Sequence, residues 1–179
     1  MKLLKYNMFA FPLMAVLLML LLFSCRQPVA VETVEQQIAR LENELFDQDG
    51  VIIAENADAL ISLYEQWADS LPQHPRSPEY LFIASDLSIN SINVNRTMRL
   101  LDKVISGYSD YANRGLCMFL KGFVYEEQLN DTASARVQYE AFLKEYPEHE
   151  FADDAHLAIR NLGKSVEDLI REFESANEQ

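Results

Sequence analysis

The chain has 179 residues, 49% of them hydrophobic, with 15 basic and 28 acidic side chains and a formal charge of −13 at pH 7. That length suits one domain with a sizeable core. The acidic balance argues against nucleic acid and against electrostatic docking on anionic lipid, because both need a positive face.

Residues 1–24 read as a targeting segment. Lys2 and Lys5 form a short positive region, and an apolar run from Met8 to Leu22 follows, broken only by Pro12. The run falls short of the roughly 20 residues that span a bilayer comfortably. It ends in Leu22-Phe23-Ser24-Cys25. These four residues resemble the lipobox of bacterial lipoproteins, with Leu22 and Ser24 at the signal-peptidase recognition positions and Cys25 at the lipidation site. The resemblance implies a diacylglycerol on the Cys25 thiol and cleavage just before it. Acyl chains then anchor the protein, one chain binding marginally and two or three firmly. An uncleaved membrane anchor and an ordinary signal peptide are the alternatives. Residues 1–24 hold two lysines and no acid, so the rest of the chain carries 13 basic and 28 acidic side chains and a formal −15. With Cys25 acylated, Cys117 is the only thiol left, and one cysteine forms no intramolecular disulfide. Set in Leu116-Cys117-Met118-Phe119-Leu120, it reads as a small buried hydrophobe.

Residues 25–30 form a lipidated spacer containing Pro28. From Val31 onward the pattern is helical, without strand signals. An N-terminal helix and turn occupy residues 31–50, with Val34, Ile38, Leu41 and Leu45 as one apolar stripe and Asp47 to Gly50 as the break. A helical repeat domain spans 51–176. Its helices are expected at 58–70, 78–90, 94–106, 112–128, 132–145, 151–161 and 166–175, and residues 177–179 are a frayed tail. Pro72, Pro75 and Pro78 mark one turn; Gly107 and Gly163 punctuate others. Asn130 or Asp131 can cap the helix that follows it, and Ser165 the last one, whose apolar face is Val166, Leu169, Ile170 and Phe173. That helix is expected to cap the array.

Three helices end alike: Leu60-x3-Tyr64-x2-Trp67-x3-Leu71-Pro72, Thr97-x3-Leu101-x2-Val104-x3-Tyr108-Ser109 and Ala135-x3-Tyr139-x2-Phe142-x3-Tyr146-Pro147. The steps from Leu60 to Thr97 and from Thr97 to Ala135 differ by a single residue, the second being the longer. Two helices in each period of this length indicate an all-α, short α-solenoid of antiparallel helical hairpins, with about 7–8 helices in all.

Gly122-x2-Tyr125 followed by Ala135-x3-Tyr139-x2-Phe142-x4-Pro147 resembles a tetratricopeptide repeat. Gly122 and Ala135 let the paired helices approach, Tyr125, Tyr139 and Phe142 fill the space around them, and Pro147 ends the helix. The period is a few residues longer than that family's usual one, and the upstream copy, with Ala84 and Leu87, is degenerate. Phe142 to Pro147 with Phe151-Ala152-Asp153-Asp154-Ala155 also resembles longer-period repeats of envelope proteins. These include the lipoprotein of the β-barrel assembly machinery and the periplasmic Tol–Pal partner. The nearest likeness is to small tetratricopeptide lipoproteins of Bacteroidetes-type bacteria, over residues 55–175.

Catalytic signatures are missing from the sequence. There is no Gly-rich phosphate loop, nucleophile elbow or paired-cysteine motif. His74 and His149 follow equivalent helix ends, which favours a turn role over a ligand role, and Asp47-Gln48-Asp49-Gly50 lacks the later ligands of a calcium loop. No metal, cofactor or small-molecule substrate is expected. Trp67 and the other helically spaced aromatics read as packing.

The resemblance implies a non-enzymatic scaffold or adaptor that holds a peptide or protein partner on the first helices of successive hairpins. Counted from Gly122, the partner groove would comprise Phe119, Phe123 and Glu126; counted from Ala84, it would add Leu81, Ser85 and Ser88. Packing of Phe119 and Phe123 on the neighbouring hairpin is the alternative. Other functions left open are a structural subunit of an outer-membrane assembly or division-linked envelope complex, and an adaptor presenting clients to a chaperone. Arg26 stands where enteric inner-membrane lipoproteins carry aspartate, and residues 26–30 lack an acidic surface-export cluster. The resemblance therefore implies the periplasmic face of the outer membrane.

Overall fold

A computed structural model describes residues 32–89 and 93–177; Leu22, Ser24 and Cys25 lie outside them. The described chain is all-helical: α1 (Val34–Asn43), α2 (Ala54–Ser70), α3 (Ser77–Ile89), α4 (Val94–Gly107), α5 (Arg114–Phe123), α6 (Thr132–Glu145), α7 (Ala152–Asn161) and α8 (Val166–Asn177). A π-helical turn, Val124–Gln128, prolongs α5.

Local chemistry sets most boundaries. Thr33 caps α1 in a capping box with Gln36, each side chain taking a backbone N–H of the other. Asp131, not Asn130, caps α6 by accepting from the Ser134 N–H at 3.0 Å. Asn130 takes a left-handed conformation, φ 49°, one residue earlier. Ser165 accepts from the Asp168 N–H at 3.1 Å while its own N–H donates to the Asp168 carboxylate. α2 begins four residues earlier than the sequence suggested. No side chain caps it; instead Asn56 donates to the Glu44 carbonyl at 2.6 Å, tying its first turn to the end of α1.

Each helix from α1 to α7 packs chiefly on its neighbours in the chain, an order compatible with a helical-hairpin solenoid. Ile38, Leu60, Ile61, Tyr64, Leu100, Leu101 and Val104 belong to one buried cluster; Met118, Ala135, Tyr139, Phe142 and Ala155 form a second. Ion pairs join α2 to α4: Glu65 meets Arg96 at 3.0 Å and Arg99 at 3.3 Å, and Lys103 meets Asp69 at 2.7 Å.

The three turns that leave α2, α4 and α6 are copies of one another. Leu71, Tyr108 and Tyr146 have φ −132°, −138° and −130°, and ψ 57°, 72° and 60°. Their N–H groups donate to Trp67, Val104 and Phe142 carbonyls, closing the helix ends. Three residues on, His74, Tyr111 and His149 donate back to Leu71, Tyr108 and Tyr146 at 2.9, 3.2 and 3.2 Å. Their own carbonyls then accept from Ser77, Arg114 and Ala152 at the next helix starts. His74 and His149 also accept, through Nδ1, from the N–H two residues later, at 3.2 Å in both. Their ring edges lie on Trp67 and Phe142, centroids 5.1 and 5.2 Å apart. The imidazoles are thus turn elements.

α8 follows Gly163, which takes φ 78° in the turn before it. Val166 and Ile170 are 67% and 52% exposed, and α8 makes no extensive packing with another helix among the described residues.

Candidate functional site

The turns set the helix register, and that register revises the expected groove. Ser77 opens α3 and Arg114 opens α5 with the same hydrogen bond to the residue three before. Ser85 therefore corresponds to Gly122, and Phe82 to Phe119; counting from Ala84 is one residue out of step. The extra residue of the longer period enters later, between Gly122 and Ala135, a stretch that contains the π-helical turn.

Leu81, Ser85 and Ser88 are 2%, 0% and 0% exposed, so they offer no surface to a partner. The two serines face inward because their hydroxyls are used there. Ser85 donates to the Phe82 carbonyl at 2.7 Å, and Ser88 pairs with Thr97, whose hydroxyl donates to the Ser88 carbonyl at 2.9 Å. Short polar side chains satisfied in this way fit the close α3–α4 packing without an orphaned group. The expectation that these three residues line a groove is corrected accordingly.

Phe119 is half-buried and stacked on Phe151, centroids 5.0 Å apart, with Tyr139 at 5.5 Å and Phe142 at 5.8 Å. It packs the α5–α6 hairpin against the start of α7. Phe123, one turn later, is 36% exposed. Glu126 is half-buried and accepts from the Tyr139 hydroxyl at 2.8 Å. Tyr64 makes the equivalent bond to Glu42 at 2.7 Å, two periods earlier in the chain. Burial first, and then the neighbouring glutamate, push both phenols well above their ordinary pKa, so they donate at any physiological pH. Of the six candidate groove residues, Phe123 is left as the one large apolar side chain open to solvent.

The packing residues lie together around α5 and α6. A Cβ built on Gly122 would sit 2.7 Å from the Tyr139 ring, so only glycine admits this approach. Ala135, Tyr139 and Phe142 are buried, Tyr125 is half-buried, and Pro147 follows the last residue of the α6 cap. Cys117 is fully buried, and burial pushes its thiol up to about 12, so it is no nucleophile at neutral pH.

Two shallow clefts of about 410 and 420 Å³ flank Tyr108 and share Gly107. Prolines and tyrosines dominate the first, and in the second Lys103 is already held by Asp69. Among the described residues no group of three His, Cys, Asp or Glu side chains could hold a metal ion, and no helix is long and apolar enough to cross a membrane.

One surface escaped the sequence reading. The loop between α1 and α2, taken there as a break, is a pinned hairpin. Asp47 N–H donates to Val51 and Ile53 N–H to Leu45, at 2.9 and 2.8 Å, flanking an antiparallel bridge between Phe46 and Ile52. That pattern makes Phe46 and Ile52 a non-hydrogen-bonded pair, whose side chains stand closest. The Asp47 carboxylate accepts from Asp49 and Val51 N–H groups, and Gly50 takes φ 78° at the tip. Phe46, Val51, Ile52 and Ile53 are 52%, 59%, 44% and 37% exposed. The available signal was three consecutive β-branched residues directly after Asp-x-Asp-Gly.

Comparison with known proteins finds no family model that matches the chain and no curated protein with significant sequence similarity.

Proposed function

We propose that the chain is a lipid-tethered periplasmic scaffold or adaptor that binds a protein partner through its helical hairpins and catalyses no reaction. The copied turns, one to each period, carry this reading, because they set successive hairpins in the same local geometry. Such an arrangement suits an extended binding face. The proposed contact on that face is Phe123, beside Glu126 and Glu127. The proposed anchor is Cys25, by the lipobox resemblance of Leu22 to Cys25.

A photo-crosslinking side chain at position 123, in whole cells, is expected to trap a discrete protein that the same probe at Val137 does not. Phe123→Glu is expected to abolish that partner's co-purification while the melting temperature stays within about 2 °C, a change worth less than about 1 kcal/mol. Loss of folding in this variant would assign Phe123 to packing and remove it from the binding face. Intact mass of membrane-extracted protein tests the anchor: the expected species starts at an acylated Cys25, and a full-length chain or one starting at an unmodified Arg26 overturns it.

A further inference from the structure

Two hydrogen bonds clamp α3 beside α5, one near each end. Tyr111, in the turn before α5, donates to Glu79 in the first turn of α3 at 2.6 Å. Gln128, in the π-helical turn, donates to the Ile89 carbonyl at the end of α3 at 2.6 Å. The common register of the two helices makes Phe82 equivalent to Phe119, and Asp86, one turn later, equivalent to Phe123. Phe82 and Phe119 are half-buried, while Asp86, Phe123 and Glu127 are exposed. The paired helices thus present phenylalanine rings bordered by carboxylates.

The cations nearest to this strip are committed elsewhere. α3 contains no lysine or arginine, and α5 with its π-helical turn contains only Arg114 and Lys121. Arg114 pairs with Glu145 on α6, and Lys121 with Asp102 on α4 at 2.6 Å. Arg76, just ahead of α3, donates to the Tyr80 hydroxyl at 3.2 Å and is drawn to Glu35 and Glu42 of α1. Among the described residues no cation pairs with Asp86 or Glu127. Their charge is therefore open to a partner, on the same face as the exposed Phe123 ring.

We infer that the partner proposed for this face meets it with a basic segment, whose lysine or arginine side chains reach Asp86 and Glu127 while an apolar side chain between them covers Phe123. The inference rests on the proposed binding face and adds the chemistry of what that face holds. A segment with both characters gains apolar burial and charge attraction together. An acidic segment sets like charges against the same carboxylates, which is how complementary charge selects one partner over another.

Fluorescence anisotropy with the full chain in neutral detergent, blanked against empty micelles, tests this. The probe is a blocked, dye-labelled peptide with lysines flanking a central phenylalanine. It is expected to bind, and to bind less well as salt rises, because exposed charges are screened. Exchanging its lysines for glutamate is expected to abolish binding, and exchanging its phenylalanine for serine to weaken it. Asp86→Asn with Glu127→Gln is expected to weaken binding of the lysine peptide roughly three- to tenfold, the effect of losing two exposed charge pairs. Glu55→Gln with Glu140→Gln removes as much charge from exposed positions on second helices and is expected to leave binding unchanged. Thermal melts check that both variants fold. No binding at about 1 mM peptide, equal weakening by the two variants, or indifference to the glutamate exchange overturns the inference. An acidic segment crosslinked at position 123 overturns it too, while leaving the binding face itself in place.

Discussion

At the residue scale, Gly122 and Gly107 separate a glycine required by packing from one that merely ends a helix. A methyl group at Gly122 would press on the Tyr139 ring, which is itself held by its hydroxyl on Glu126 and by burial among α5–α7 side chains, so it has little room to yield. Gly122→Ala is expected to destabilise the protein by about 1–3 kcal/mol, the usual cost of overpacking. Gly107→Ala meets nothing within 4 Å and is expected to be neutral or slightly stabilising. Denaturant melts of the two variants check the contrast; equal midpoints would show that Tyr139 can move aside. Gly122 was legible because a small residue three before a tyrosine, in a repeat of known period, has few other uses. Ser85 and Ser88 were not, because which face of α3 is buried, and the Thr97 hydroxyl that Ser88 meets, follow only from the α3–α4 packing.

At the element scale, the turn after each second helix does the organising. It closes the helix end, starts the next helix and sets its register, and it tolerates His74, Tyr111 or His149 at its centre because the backbone carries the common bonds. Arg114 reinforces the α4–α5 turn from the side. Its guanidinium donates to the Ile105 carbonyl at 2.8 Å and to the Tyr146 hydroxyl at 2.9 Å, and pairs with Glu145. These bonds join the end of α4, the start of α5 and the end of α6. Arg114→Ala is expected to cost about 1–3 kcal/mol, since it leaves the part-buried Ile105 carbonyl and Tyr146 hydroxyl without this donor. A loss within about 0.5 kcal/mol by denaturant titration would show that water replaces the guanidinium. Helix positions were legible from apolar spacing and cap residues. The one-residue register error arose because the period lengthens by one residue between Gly122 and Ala135, and the π-helical turn in that stretch leaves no distinctive residue type in Val124–Gln128.

At the scale of the whole molecule, stability passes from neighbour to neighbour. The interior hairpins are covered on both sides, while α8 packs extensively on nothing among the described residues. Amide hydrogen exchange is expected to be slowest in α3 to α5 and fastest in α8, because protection follows buried apolar contact. Uniform protection from α1 to α8 would mean that the array unfolds as one unit and that α8 is held by contacts outside the described packing.

The sequence by itself determined the helical content, the hairpin period and the residues that bring α5 and α6 together. Those properties follow from local spacing, from caps, and from glycine and proline, whose effects act within a few residues. Only the tertiary structure decided which side of each helix stays open. Exposure of Phe123, burial of Leu81, Ser85 and Ser88, and the exposed apolar residues Phe46, Val51, Ile52 and Leu157 all depend on which neighbouring element is present to cover them. A repeat states what each hairpin is made of; its partner in space decides what each one shows.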